Sequence, residues 1–338
     1  MMADSRVRVA LVGAGVMANR FHYPSVASLP DVELVGISDL IEPKARETAE
    51  RFGIAPDRVY TDYRWMISDV QPRAVYVLMP PQHLYEPVYH ALQQGCHVFV
   101  EKPLGLTVGQ ARMLSYTAGE HGCLTMVGFQ RRYSPAMTSI RQQVEARGPI
   151  HFAEVEFLKS TADLTKPAGF YDGAIDPLTS DGVHAVDLLR WLCGGKVEEV
   201  HAVGRRRGIP GPNSNAFSAH VTFSTGAVGF VQYNQLTGRR IFRAELHGRN
   251  ITGYVDADRE CFLVADDGEP EARPSREFAQ GVVPAGGELQ PEHWQGFWHE
   301  SRHFIDCVAA GETPSSNFAD AVKSMELAQR ILLASGDL

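Results

Sequence analysis

Apolar positions along the chain follow two different rhythms. Between Arg6 and Val127 they fall in short unbroken runs, VRVALV, VELVGI, AVYVLM, HVFV and CLTMV, separated by amphipathic stretches of helical period. Unbroken apolar runs of this length suit strands buried on both faces, as a parallel sheet covered by helices requires. Their alternation with helices predicts a doubly wound α/β domain over residues 1–127. Breakers stand where that fold needs loops: Gly13 to Gly15 after the first run, Pro80-Pro81 after the third, and Gly95 at the end of a helix beginning near His83.

From Ile150 onward the rhythm becomes alternation, in IHFAEVEFLKS, KVEEVHAVGRR, AFSAHVTFS, GAVGFVQYNQ, IFRAELHGR and NITGYVDAD. Several such runs at short spacing, joined by Gly-containing turns, predict a large, mostly antiparallel open sheet in an α+β domain over residues 128–338. Helices expected at 183–192, 294–310 and 318–334 cover one face of that sheet. The Gly-, Pro- and acid-rich stretch 266–291 reads as a long loop.

Composition narrows the class without naming it. The chain has 338 residues, 44% hydrophobic and 21% charged, with a formal net charge of −8. Such a balance belongs to a globular protein and lacks the basic footprint of a nucleic-acid or anionic-membrane binder, so a small-molecule partner is expected. The N-terminal stretch MMADSRVRVALVG has no signal-peptide pattern, and no apolar run approaches the ~20 residues of a membrane span. A cytoplasmic location follows as an expectation. Cys96, Cys123, Cys193, Cys261 and Cys307 are scattered without a C-x-x-C pair, as expected of reduced thiols.

The first candidate chemistry lies directly after the first apolar run. Gly13-Ala14-Gly15-Val16-Met17-Ala18 is a G-x-G-x-x-A element between a predicted strand and a predicted helix, the context that makes it a dinucleotide fingerprint of the Rossmann fold. Gly13 permits the tight turn, and Gly15, with the amides of Val16 and Met17, can approach a pyrophosphate at the helix N-terminus. Asp39 ends the next apolar run about 20 residues beyond Ala18, where an acid meets the adenosine ribose 2′-hydroxyl. A carboxylate there repels the 2′-phosphate of NADP and favours NAD, while nearby Lys44 and Arg46 leave NADP open.

Glu101-Lys102-Pro103 follows the HVFV run, at the carboxyl end of a predicted parallel strand, where open α/β sheets place their ligands. With the fingerprint, Pro81-Gln82-His83, EKPL at 101–104, GFQRRYSP at 128–135 and HAVDLLRWLCG at 184–194, the ordered set resembles the glucose-fructose oxidoreductase/inositol dehydrogenase (Gfo/Idh/MocA) family. The resemblance implies that Lys102 lies between the nicotinamide ribose and the reacting hydroxyl and that Glu101 contacts the cofactor; Pro80 and His83 are further cofactor candidates, with a structural role at a helix N-terminus the alternative for His83. It also implies NAD-dependent hydride transfer on a sugar, inositol or related polyol, by a homodimer or homotetramer paired through the open sheet. A lysine beside a cationic nicotinamide ring and partly desolvated is suited to proton exchange.

In the second half the family carries an aspartate four residues before a histidine, with another aspartate three residues after it. His184 and Asp187 match, but Ser180 occupies the first acid's place and Asp181 stands one position late. His184 is therefore expected to work with Lys102, with Asp181 or Ser180 against the substrate and Asp187 orienting the imidazole. Tyr171, Asp172 and Lys166, in the preceding loop, are further candidates for substrate hydroxyls. His299-Glu300-Ser301-Arg302-His303 spells the zinc motif H-E-x-x-H, but the surrounding Trp294, Phe297, Trp298, Phe304 and Ile305 read as a helix packing its aromatic face, and no metal is expected. Two other readings of the same fold are a non-catalytic sugar or nucleotide sensor and a redox-neutral, NAD-dependent glycosidase.

Overall fold

A computed structural model of the chain describes residues 6–161, 164–166, 175–282 and 288–337. By compactness these fall into two units, residues 1–128 with Phe297–Val322, and Phe129–Gly296 with Lys323–Leu338.

The first unit is built on six parallel strands, β1 Val7–Val12, β2 Val32–Ser38, β3 Val59–Tyr60, β4 Ala74–Val77, β5 His97–Val100 and β6 Thr125–Val127, in the order β3-β2-β1-β4-β5-β6. That order reverses direction beside β1, the switch point of a Rossmann sheet, where strand ends open onto a ligand. The four residues of β4 are all buried, as an inner parallel strand requires. Two-residue β3 left no apolar run to read.

The second unit carries eight strands: β7 Phe152–Ser160, β8 Val197–Arg205, β9 Ala216–Phe223, β10 Val228–Asn234, β11 Leu236–Gly248, β12 Ile251–Asp256, β13 Glu260–Ala265 and β14 Glu271–Pro274. Their order is β14-β13-β12-β11-β7-β10-β9-β8, antiparallel except for the central β7–β10 pair. Helices Val183–Cys193 and Pro135–Glu145 cover the inner face, closing a core that includes Phe157, Leu188, Leu189, Val231 and Phe242.

Two expectations are corrected here. Strand β14 and a short 3-10 turn, Ser275–Ala279, lie inside the stretch read as loop. Every residue of β14 is exposed, so this edge strand has no apolar alternation to betray it. Helix Phe297–Ala310, expected on the second sheet, belongs instead to the first unit, where Phe297 stacks on Phe21 at 4.3 Å and Phe304 meets Tyr76 and Phe99. Its apolar period announced that a face is buried but not what buries it. Each fully buried ring of this kind contributes about 1.5–3 kcal/mol.

Candidate functional site

In the first unit, the candidate residues gather at the carboxyl ends of β1, β2, β4 and β5. Gly13 has φ +104°, and a Cβ there would stand 2.4 Å from the carbonyl oxygen of Leu78, so only glycine fits. A Cβ on Gly15 would meet nothing within 4 Å, which leaves open space over the loop. Asp39 holds that loop from beside it: its carboxylate accepts the Ala14 N–H at 2.7 Å and the Ile41 N–H at 2.8 Å. Each oxygen keeps a further lone pair for a ribose hydroxyl. Around them Val16 and Met17 are 81% and 48% exposed, and Leu40 and Ile41 are exposed too. Large apolar side chains left in water around a glycine loop fit the flank of a bound dinucleotide. Arg46 directs its guanidinium to Glu42, consistent with NAD over NADP.

Pro80 is the exposed N-cap of helix Pro81–Gln93, and His83, exposed in its first turn, donates its N–H to the Pro80 carbonyl at 2.9 Å. At the end of β5, Glu101 accepts the Lys102 N–H through Oε2 at 3.0 Å and meets His22 Nε2 through Oε1 at 2.7 Å. Burial would raise the Glu101 pKa, but the His22 hydrogen bond and charge, with that of Lys102, hold it below the usual carboxylate range. Beside an ionised carboxylate, Nε2 of His22 is the protonated nitrogen.

In the second unit, His184 sits in the first turn of helix Val183–Cys193, nearly buried, with the edges of Phe129 and Phe157 toward it at 6.4 and 6.3 Å between ring centres. The helix is preceded by a π-helical turn, Leu178–Gly182, containing both Ser180 and Asp181. This turn falls at the point where the acid is displaced in sequence. Ser180 is 1% exposed and donates its hydroxyl to the Asp176 carbonyl at 2.8 Å. Asp181 is paired with the ammonium of Lys159. Tyr171 and Asp172 lie outside the described residues, and Lys166 is exposed.

Asp187, expected to orient His184, spends its carboxylate elsewhere. Arg132 binds both of its oxygens, Nε at 2.7 Å, and Ser324 donates to Oδ1 at 2.7 Å, all nine-tenths or more buried. The GFQRRYSP and HAVDLLRWLCG segments are therefore tied together by a buried ion pair, and Arg131 lies over the Phe242 ring at 4.5 Å.

The H-E-x-x-H segment lies in helix Phe297–Ala310, where His299 and His303 stand one turn apart and half-buried. His303 accepts the Ser315 N–H through Nε2 at 3.1 Å, whereas Glu300 is fully buried. Among the described residues no group of histidine, cysteine and acid side chains is arranged to hold a metal ion.

Lys159 and His22, which meet the candidates Asp181 and Glu101, stand outside the set the sequence suggests. Lys159 had a signal: Ala153, Val155 and Phe157 alternate inward along β7, and a lysine takes the next inward place. The pairing of His22 with Glu101 spans a sequence separation that no local pattern reports.

A Rossmann unit with a pinned glycine loop and a Glu-Lys pair at a strand end, joined in one chain to an open-sheet unit, defines a pyridine-nucleotide-dependent oxidoreductase. Family models match both parts, residues 7–129 as an oxidoreductase family with an NAD-binding Rossmann fold and residues 143–252 as the GFO/IDH/MocA C-terminal domain. The chain belongs to the Gfo/Idh/MocA family. It is 25% identical to the scyllo-inositol 2-dehydrogenase (NAD(+)) of Bacillus subtilis over 332 residues, 96% of this chain and 92% of that one. It is 31% identical over 202 residues to the D-glucoside 3-dehydrogenase of Escherichia coli, 57% of this chain and 56% of that one. Among solved structures, levoglucosan dehydrogenase in complex with NADH and levoglucosan shares the fold, with a TM-score of 0.84 and 22% identity over 98% of this chain and 97% of that one.

Proposed function

We propose that this protein transfers a hydride between NAD(H) and a carbinol or ketone carbon of a sugar, inositol or related polyol. Bound NAD(H) supplies or accepts the hydride, and the protein supplies position and proton handling. Gly13, Gly15, Val16 and Met17 receive the pyrophosphate, and Asp39 the adenosine ribose. Lys102 and His184 exchange the proton of the reacting hydroxyl, and Asp181, steadied by Lys159, contacts the substrate. The observation that carries this reading is the Asp39 carboxylate bound to the Ala14 amide, which fixes the glycine loop while space over Gly15 stays open.

The relatives named above act on inositol, a glucoside and levoglucosan, and all are polyhydroxylated rings. This supports a ring polyol as substrate class. The protein acts in the cytoplasm; no helix among the described residues is long and apolar enough to cross a membrane. It assembles as a homodimer or homotetramer through the outer face of its second sheet. There, Phe152 and Phe230 lie 5.5 Å apart between ring centres, His220 is 4.9 Å from Phe230, and His247 is 5.3 Å from Phe152, a ring stripe crossing four strands.

A panel of inositols, aldoses and sugar acids, read by NADH absorbance, tests the function. The expected result is NADH formation with at least one cyclic polyol, lost in Lys102→Ala. Turnover without an absorbance change would replace it with the redox-neutral glycosidase, and cofactor binding without any turnover across the panel with the sensor. Sedimentation showing only monomer would refute the assembly.

A further inference from the structure

The inner face of the second sheet turns from apolar to polar at one end. Strands β11, β7 and β10 are neighbours at its centre, and their register sets Phe157 opposite Phe242 on one side and Tyr233 on the other. These buried rings lie 5.3 and 5.8 Å from Phe157 between ring centres. Because side chains alternate along each strand, the next inward places fall to Lys159 on β7, Arg240 on β11 and Gln235 just past β10. The β11 ladder shifts register between Leu236 and Ile241, and the Arg240 guanidinium still comes over the Phe157 ring at 5.4 Å. The Lys159 ammonium is 5.9 Å from the centre of that ring, and His184 meets it at 6.3 Å. One ring is thus shared by two cations and the candidate proton-handling histidine.

The cations around Arg240 have acids to answer them. Lys159 is paired with Asp181, Arg132 with Asp187 and Arg243 with Glu156, while buried Arg131, over the Phe242 ring, has Asp256 and Asp258 acting on it. Arg240 itself is exposed and has neither a hydrogen bond nor an ion pair among the described residues. Stacking on a ring fixes the plane of a guanidinium and leaves the N–H groups along its edge free to donate. Beside it in the same polar row, Gln235 is buried, and its Oε1 has no hydrogen-bond partner among the described residues. A free double donor and an idle buried acceptor, set where the core gives way beside His184, suit a ligand that offers both an anion and a hydroxyl.

We propose that Arg240 is a specificity-determining residue, which binds a carboxylate or phosphate group carried by the ring polyol substrate, with Gln235 accepting a hydroxyl of the same molecule. The inference rests on the reading above that places the substrate at His184 and Asp181. A guanidinium offers two parallel N–H groups to two oxygens of one anion, a match that a lone ammonium lacks. Lys159 stays with Asp181, so the charge that selects an acidic sugar is that of Arg240. A neutral sugar leaves Arg240 in water and gains nothing from it, so the residue acts on the choice between substrates.

The test compares wild type, Arg240→Gln and Arg240→Lys on glucuronate, galacturonate and glucose 6-phosphate, each beside its neutral parent, glucose or galactose. Turnover with NAD is read by absorbance, binding to the NADH-loaded protein by calorimetry, and folding by unfolding midpoints. Wild type is expected to prefer at least one acidic sugar to its parent. In Arg240→Gln the acidic-to-neutral ratio of kcat/KM falls about 10- to 100-fold, chiefly through KM, as loss of a charge-assisted hydrogen-bond pair does. Arg240→Lys, which keeps the charge without the fork, falls between the two. Preference for the uronates identifies the anion as a carboxylate, and preference for the sugar phosphate identifies it as a phosphate. A wild type that prefers the neutral parents throughout, or a ratio unchanged in Arg240→Gln, overturns the proposal. Turnover of none of these sugars counts against hydride transfer itself; binding of an acidic sugar that Arg240→Gln abolishes then still upholds the anion site, and its absence overturns that too.

Discussion

Each of the two units buries a cluster of charged side chains, and the clusters are built on opposite principles. In the second unit Asp187 is met by Arg132 and Ser324, with Arg190 4.0 Å away. Anion, cations and hydroxyl satisfy one another, and the cluster joins two segments of the core. In the first unit Glu101 has His22 and a backbone amide, but neither carboxyl oxygen of Glu300 has a hydrogen-bond partner among the described residues. A fully paired cluster fixes a fold, whereas an under-satisfied one is tolerated where chemistry needs a group with a displaced pKa. The first unit is accordingly where proton handling is expected, and the second cluster is expected to serve as scaffolding.

The sharpest contrast comes from replacing one residue attached to each cluster. Lys102→Ala is expected to lower kcat about 10²- to 10⁴-fold with NADH binding and unfolding midpoint nearly intact, as loss of a general acid–base group does. Asp187→Ala is expected to do the reverse, costing about 3–5 kcal/mol in urea unfolding because Arg132 is left buried without its counter-charge. If Asp187→Ala kept full stability, the distinction between the two clusters would collapse. Asp39→Ala removes charge-assisted hydrogen bonds of about 1.5–3 kcal/mol, so NADH affinity drops about 10- to 100-fold and discrimination against NADPH shrinks, read by fluorescence titration.

The smallest effect is the most diagnostic of the unpaired acid. A carboxyl whose folded pKa lies above its unfolded value binds more protons folded than unfolded, so stability falls as pH rises from the ordinary carboxylate range toward the raised pKa. Glu300→Gln removes that proton. The midpoint difference between Gln variant and wild type should therefore widen steadily with pH in thermal melts, and a constant difference would place Glu300 among ordinary core residues.

The sheet of the first unit was legible because its strands are buried on both faces and announce themselves as unbroken apolar runs. The glycine loop and Asp39 were legible because backbone sterics and a fixed spacing tie those residue types to those places. The exposed edge strand Glu271–Pro274 was not, since nothing in its side chains alternates. The attachment of helix Phe297–Ala310 was hidden for a related reason, as periodicity records a buried face and not its neighbour. Asp187 illustrates the limit for sites. Its spacing from His184 fitted an orienting acid, yet Arg132, 55 residues away in sequence, holds it. Glu300 was visible as part of a zinc pattern, but its full burial is a property of the folded chain.

All of these readings depend on the first unit holding NAD(H) through the loop that Asp39 pins. The most direct measurement is a fluorescence titration of wild type and Gly13→Ala with NADH and, separately, NADPH. The account predicts tight binding of NADH and weak binding of NADPH by wild type, with NADH binding lost in Gly13→Ala, whose new methyl group would collide with the Leu78 carbonyl. Wild type that binds neither nucleotide, or a Gly13→Ala variant that binds NADH as wild type does, would contradict it.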